Sequence, residues 1–485
     1  MQSVEAPVSV KASVAPPDTA PRDEIADPVK LEKWGRRYPY YTRQLFDLFR
    51  AHVPEGHTIL EIGSQLGDLL ALLKPSQGVG IDSRLQIVEA ARRRHPELTF
   101  EHAHPESFDL GGRTFDFVII STVLGDAKDV QHVFRAIRAA CRPDTRVIIA
   151  YHNALWEPLL RLATRLGMRR PVEKQNWLSI QDLRNLAFLS GLDVIRASGE
   201  VLMPLPIPIL SAVLNRMLVR CWPWYHCGLV QLLIAKPVCP RVDLRSPKVS
   251  VIIPTRNERG NIEDAVRRTP KMGGGTEIVF VDGNSTDGTA DEIHRVMAAN
   301  PDRDIVFLPQ GDGVGKGDAV RKGFAAATGD VLMILDADLT VPPEWLPRFL
   351  DALLEGRGEF INGTRLVYPM EEKAMRFLNK CGNRFFSIAF TWLLSQPIRD
   401  TLCGTKVLTK ANYDTIARNR SYFGDFDPFG DFDLLLGASK ANLKIVEVPV
   451  RYDARKYGTT NISRFRHGLI LLKMSWFAMW RLKFR

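Results

Sequence analysis

Cysteine is scarce in this chain: six in 485 residues, Cys141, Cys221, Cys227, Cys239, Cys381 and Cys403, with no CxxC pair among them. That spacing excludes a disulfide-stapled scaffold and the common zinc modules, and it points to a reducing, cytosolic setting. Long hydrophobic runs are missing as well. The two most apolar stretches, Phe385–Leu394 and Leu469–Trp480, fall short of the ~20 residues that a spanning helix needs. Residues 1–33, rich in Ala, Pro and Val, hold no apolar run behind a basic start, so they read as an unstructured segment and not as a signal peptide. Acid is absent beyond Asp453, where Arg455, Lys456, Arg464, Arg466, Lys473, Arg481, Lys483 and Arg485 follow; of a formal charge of +10, only +2 belongs to the rest of the chain. A surplus confined to one tail argues against a nucleic-acid-binding face and for contact with anionic lipid headgroups.

What is present is globular: 45% hydrophobic and 25% charged residues over 485 positions, enough for two or three cores. Residues 34–237 alternate strand-like runs (Thr58–Ile62, Gly78–Ile81, Phe115–Ile120, Arg146–Ala150) with amphipathic ones (Leu85–Arg94, Val130–Ala140). A Pro-rich apolar stretch, Val201–Pro208 with Leu210–Trp224 after it, reads as a lid or subdomain ending this first domain. Residues 238–247 form a linker. A second alternation follows over 248–462, with strands expected at Val249–Ile253, Glu277–Val281, Asp304–Leu308, Val331–Leu335, Glu359–Ile361 and Lys444–Val450. Residues 463–485 read as a basic, apolar helix lying in a membrane interface; the alternative is a helix packed under the domain. The fold class is therefore α/β, two units in series.

In the first unit, ILEIGSQLG ends a strand with Glu61, Gly63 and Gly67, and Asp82 ends the next strand about twenty residues on. Glycines there let a ligand approach the backbone, and the later carboxylate can accept from both hydroxyls of a ribose. With FDFVII and PDTRVIIAYHN in the positions of the fourth and fifth strands, the segment resembles the class I S-adenosylmethionine-dependent methyltransferases. The resemblance implies a Rossmann-like domain in which Glu61, Gly63 and Gly67 frame S-adenosylmethionine and Asp82 takes its ribose. Gln65 stands where that family has its middle glycine, and His104 where an acid commonly meets the adenine.

In the second unit, VSVIIPTRNE and EIVFVDGNSTDGT bring polar groups to two strand ends, and VLMILDADL delivers Asp336 and Asp338 to a third. Paired carboxylates after a strand suit a divalent cation bridging a diphosphate. These motifs, with GKGDAVRKGFAAATGD, NGTR, DTLCGTK, EVPVRY and RKYGTTNIS in order, resemble the family 2 glycosyltransferases of GT-A fold, and within them the dolichyl-phosphate mannose synthase-like, polyprenyl-phosphate group. By that resemblance Pro254, Asn257, Glu258, Asp282, Lys316 and Gly317 bind the nucleotide sugar, and Asp336 and Asp338 hold Mg²⁺ or Mn²⁺. Arg365, Arg376 and Arg455 match positions that cradle an acceptor phosphate, and Asp431 and Asp433 fall where relatives face the acceptor. Gly283 replaces the second acid of the usual VDDGS turn. The implied protein is an inverting, metal-dependent glycosyltransferase at the inner face of a membrane, passing a sugar to a polyprenyl phosphate or glycan. A sugar-nucleotide pyrophosphorylase would need a Gly-rich phosphate loop after the first strand, which IPTRNE does not provide. A membrane-recruited scaffold with a relic first site is the nonenzymatic alternative.

Overall fold

The structure, a computed structural model, describes residues 27–121, 123–170, 175–221, 223–238, 244–365, 377–420, 431–453, 455, 457 and 464–484. The first described element already amends the sequence reading. Asp27 accepts from the backbone N–H of Val29 at 2.8 Å and Pro28 occupies the first turn, so the helix Pro28–Arg37 takes in the end of the segment expected to be unstructured.

The first domain is a seven-stranded sheet built from β1 (Thr58–Ile62), β2 (Gln77–Asp82), β3 (Thr99–His102), β4 (Phe115–Ile120), β5 (Cys141–His152), β6 (Leu192–Glu200) and β7 (Val230–Pro237), in the order β3-β2-β1-β4-β5-β7-β6. Strand β7 runs antiparallel to both β5 and β6; the other pairings are parallel. The stretch 201–224 therefore does not end the domain. It is an excursion between β6 and β7, and the chain returns through VQLLIAKP, fully buried, to fill the gap beside β5. A continuous apolar run of that kind marks a strand covered on both faces, and it lacks the alternation that would announce it in sequence.

The second sheet contains β8 (Lys248–Thr255), β9 (Gly275–Asp282), β10 (Asp304–Pro309), β11 (Val331–Ile334), β12 (Phe360–Thr364), β13 (Lys406–Thr409) and β14 (Ile445–Pro449), ordered β10-β9-β8-β11-β13-β12-β14. Only β13 is antiparallel to its neighbours. Alternate residues of each strand face opposite sides. Ile252, Val279, Val281 and Leu332 pack with Phe324 and Phe390, while Val251, Ile253, Ile278 and Phe280 pack with Leu346 and Phe349.

Both apolar segments are helical. Phe377–Leu394 buries Phe386, Phe390, Leu393 and Leu394, and Arg464–Leu482 seats Met474 and Ala478, one turn apart, in the same core. The terminal helix is thus attached to its domain by one face, as the packed-helix alternative has it, while Leu472, Trp476 and Trp480 on other faces stay exposed. Among the described residues no helix is long and apolar enough to cross a membrane.

One junction between the two domains lies at the amino ends of their parallel strands, and a second joins the Trp392 indole N–H to the Arg220 carbonyl at 2.7 Å. Arg146 reaches Glu359, just ahead of β12, with N–O distances of 2.8 and 2.9 Å, and donates to the Asn442 carbonyl at 2.9 Å. Lys444 pairs with Asp193 at 2.8 Å. Ligand crevices of open α/β sheets lie at the opposite, carboxyl ends, so this junction leaves both crevices clear.

Candidate functional site

In the second domain the carboxyl ends of β8, β9 and β11 stand side by side. Asp282 ends β9 and accepts from the Ser285 hydroxyl at 2.5 Å and its N–H at 3.1 Å. Asn257, at φ +56°, a left-handed conformation that asparagine tolerates, accepts from Thr286 N at 2.8 Å and donates its own N–H to Ser285 at 2.9 Å. These two residues tie the IPTRNE and VDGNS turns into one floor, with Pro254 in the last paired stretch of β8 against Val281. Glu258, buried, accepts from Asn261 at 2.7 Å and faces Arg455 at 3.4 Å. Burial pushes its carboxyl up to about 7; Asp338 and Asp287 add to this, and Arg455 and Asn261 only partly offset it.

Asp336 and Asp338 follow β11 directly. The Asp338 carboxylate accepts from Thr340 N and Oγ1 at 3.2 and 2.8 Å, and its other oxygen lies 2.6 Å from Arg455. Asp336 pairs with Lys316 at 2.6 Å, and Lys316 with Gly317 opens the helix Lys316–Ala326. Burial raises the Asp336 carboxyl, but Lys316, backed by Lys406 and Arg365, more than offsets it and holds the group below its ordinary range. The backbone of Gly404 passes so close that a Cβ there would stand 2.0 Å from an Asp336 oxygen. Lys406 is fully buried, donating to the Cys403 carbonyl at 2.5 Å. The donor set fits a hard divalent cation: two carboxylates on one turn, each now neutralised by a cationic side chain. Among the described residues no group of three or more His, Cys, Asp or Glu converges, so phosphate oxygens and water would complete the shell.

On the acceptor side the expectations divide. Arg455 bridges the carboxylates of Glu258 and Asp338. Arg365 is not a free phosphate ligand: it is buried and bidentate on Asp400 at 2.7 and 2.8 Å, and it stacks on Tyr452 at 5.0 Å. Arg376 lies outside the described residues. Asp433 faces Arg420 at 3.2 Å in a small cleft lined also by Gly317, Arg321 and Tyr413. Asp431 opens the helix Asp431–Lys440, and its side chain lies outside the described residues. Gly404, Lys406 and Arg420 are site residues that sequence reasoning passes over. DTLCGTK carries the first two, and a lysine in the short strand KVLT is the signal for Lys406; nothing in sequence singles out Arg420.

In the first domain Glu61 lies in the buried run of β1, one residue before its end. Burial pushes its carboxyl up to about 8, with Asp82 and Asp68 adding to this and the Ser121 hydroxyl at 3.4 Å opposing it; its Oε2 has no hydrogen-bond partner. That orphaned oxygen fits a ligand bearing a donor. Asp82 lies at the end of β2, its two oxygens engaged by Arg84 at 2.8 Å each and by Gln65 N at 3.2 Å. Gly63 and Gly67 both have positive φ, +76° and +80°, and Gln65 shares that region at +50°. At Gly67 packing also demands glycine, since a Cβ would meet Phe100 at 2.4 Å. Tyr41, His152 and Arg169 form a half-buried chain whose roles the sequence does not announce: the Tyr41 hydroxyl is 3.1 Å from His152 Nε2, and Arg169 is 3.5 Å from Nδ1. Burial first, then Arg169 and Arg170, lower His152 to about 3, so it is neutral.

Residues 250–413 match the model of the glycosyl transferase family 2, and residues 34–197 match a methyltransferase domain. Glycosyltransferase AglJ of Haloferax volcanii is 30% identical over 225 residues, which cover 46% of this chain and 69% of the relative. A dolichol-phosphate mannosyltransferase of Pyrococcus furiosus is 30% identical over 220 residues, covering 44% of this chain and 59% of that protein, so the match stops short of the relatives' full length. Among solved structures, glucosyl-3-phosphoglycerate synthase of Mycobacterium tuberculosis, in complex with Mn²⁺ and UDP, aligns with 49% of this chain and 81% of its own at 18% identity and a TM-score of 0.36. The ordered strand-end motifs and the 30% relative agree: the chain belongs to the family 2 glycosyltransferases, with a methyltransferase-fold domain ahead of the transferase.

Proposed function

We propose that the second domain transfers a sugar, with inversion and with Mg²⁺ or Mn²⁺, from a nucleoside diphosphate sugar to a polyprenyl phosphate or a glycan at a membrane surface. The observation that carries this reading is the carboxylate pair at the end of β11, neutralised by Lys316 and Arg455 and approached by the Gly404 backbone. Asp336 and Asp338 would hold the cation, which when bound neutralises charge on the diphosphate. An acceptor oxygen would attack the anomeric carbon; the new carbon–oxygen bond forms as the bond to the diphosphate breaks, and that electron pair leaves with the nucleoside diphosphate. An ionised phosphate acceptor needs no base, whereas an alcohol would have to give its proton to Asp433 or Asp431. The phosphate acceptor is favoured by analogy with the Pyrococcus relative, whose name specifies a dolichol phosphate.

The first domain is proposed to bind S-adenosylmethionine, with Glu61 offering its unpaired oxygen and Asp82 sharing the ribose with Arg84. The acid-free, basic terminal helix supports peripheral attachment to the membrane.

Incubating the protein with labelled nucleotide sugars and membranes, then extracting lipid, tests the transferase. Asp338→Ala is expected to abolish transfer, as is chelation of divalent cations. Full activity of that variant, or full activity in excess EDTA, overturns the metal assignment.

A further inference from the structure

We propose that the excursion 201–224 of the methyltransferase-fold domain is a second membrane foot, forming with the helices Phe377–Leu394 and Arg464–Leu482 one docking face for an anionic bilayer. This rests on the membrane reading above and extends it to the other domain.

The excursion is built inside out. Its helix, Leu210–Arg216, buries Ser211 and Asn215 and exposes Leu210 and Val213, with Arg216 exposed beside them. Ser211 accepts from Ile207 N at 2.9 Å and donates to the Leu205 carbonyl at 2.5 Å. Asn215 accepts from Leu202 N and Met203 N at 2.7 and 2.8 Å and donates to the Met203 carbonyl at 2.8 Å. With its backbone satisfied from within, the segment is an ordered structure that turns Leu210, Val213 and Met217 to the outside. At its tip Ile209 is 82% exposed and sits at φ +63°, costly for a β-branched residue. A helix facing water has the opposite arrangement.

This surface is continuous with that of the transferase domain. The Trp392 indole N–H donates to the Arg220 carbonyl at 2.7 Å. From Trp392 the rings of Phe484, Trp480 and Trp476 follow at centroid spacings of 6.2, 5.4 and 6.1 Å. Trp476 is 62% exposed, and on the neighbouring helix Ile388 is 65% exposed. Charge selects the occupant. No Asp or Glu occurs between Val201 and Val242, between Lys373 and Arg399, or after Asp453, while Arg216, Lys473 and Arg481 lie within these stretches; Arg220 pairs with the buried Glu200 just ahead of the first. Exposed aromatic and aliphatic side chains interspersed with the exposed cations Arg216, Lys473 and Arg481 suit the headgroup layer of an anionic membrane.

The test uses the full chain and sedimentation with vesicles of phosphatidylcholine alone or mixed equally with phosphatidylglycerol. The wild type is expected to pellet with the anionic vesicles. Ile209→Asp with Val213→Asp should lower its partition coefficient by about tenfold, with thermal unfolding unchanged because both sites are exposed. Trp476→Asp should have a similar effect. If the wild type pellets and the Ile209/Val213 variant pellets equally, the second foot is wrong and the membrane reading survives. If the wild type stays in solution with both vesicles, both are wrong. If light scattering instead finds a wild-type dimer that this variant splits without changing vesicle binding, the face belongs to a second copy of the chain and the proposal is overturned.

Discussion

Gly404 has no side chain to contribute, yet its position decides whether Asp336 can occupy its place. A methyl group 2.0 Å from the carboxylate leaves no room for both, so Gly404→Ala must displace Asp336. A shift of about 1 Å at a catalytic group can cost about a hundredfold in rate. Gly404→Ala is therefore expected to lose about that much transfer activity while Tm changes little, which a lipid-extraction assay run beside thermal unfolding would check. Glu61 makes a different prediction. Burial lifts its folded pKa to about 8, above the ordinary 4.5, so the neutral carboxyl stabilises the fold below pH 4.5 and that contribution drains away as pH rises through about 8. Across that window Tm of the ligand-free wild type should fall more steeply than Tm of Glu61→Gln; parallel profiles would show that Glu61 is not held neutral.

Among the elements, the helix Arg464–Leu482 combines two interfaces that sequence periodicity alone does not separate. Ala478 is fully buried against the domain, whereas Trp476, two residues away, is among its most exposed large side chains. A carboxylate at Ala478 would have to be buried without a partner, at a cost of several kcal/mol. Ala478→Asp should thus lower Tm by several degrees and unseat the helix, while Trp476→Asp leaves Tm in place. A calorimetric scan of the two variants separates a structural face from a docking face. Similar losses for both would mean that the outer face is also packed.

For the molecule as a whole, the junction matters most. Arg146 and Glu359 are 7% and 1% exposed, and each belongs to a different domain. Breaking such a buried pair typically costs about 3–5 kcal/mol because the remaining charge is stranded. Arg146→Ala is expected to uncouple the domains, turning one cooperative calorimetric transition into two. A single transition at unchanged temperature would show that the junction carries little energy. Because Arg146 and Glu359 lie at amino strand ends, away from the crevice, the variant should leave nucleotide-sugar binding largely intact.

Much of the candidate transferase site is legible in the chain itself. VLMILDAD is a buried strand followed at once by two acids, and strand geometry then fixes where Asp336 and Asp338 emerge. The strand ends bearing Asn257 and Asp282 follow in the same way, as do Glu61 and Asp82 in the first domain, because parallel strands separated by helices put their carboxyl ends on one edge. Pairings made across the fold were not legible. Arg365 reads as a phosphate ligand until Asp400 is seen holding both arms of its guanidinium. Gly404 and Lys406 reach Asp336 only because β13 inserts antiparallel between β11 and β12. The return of the chain through β7 makes the stretch 201–224 an excursion from the sheet. Local sequence determined strands, turns and the charges at their ends, since those depend on neighbours along the chain. Which charges remain available to a ligand was decided by tertiary structure, since a side chain's partner comes from whichever segment the fold brings beside it.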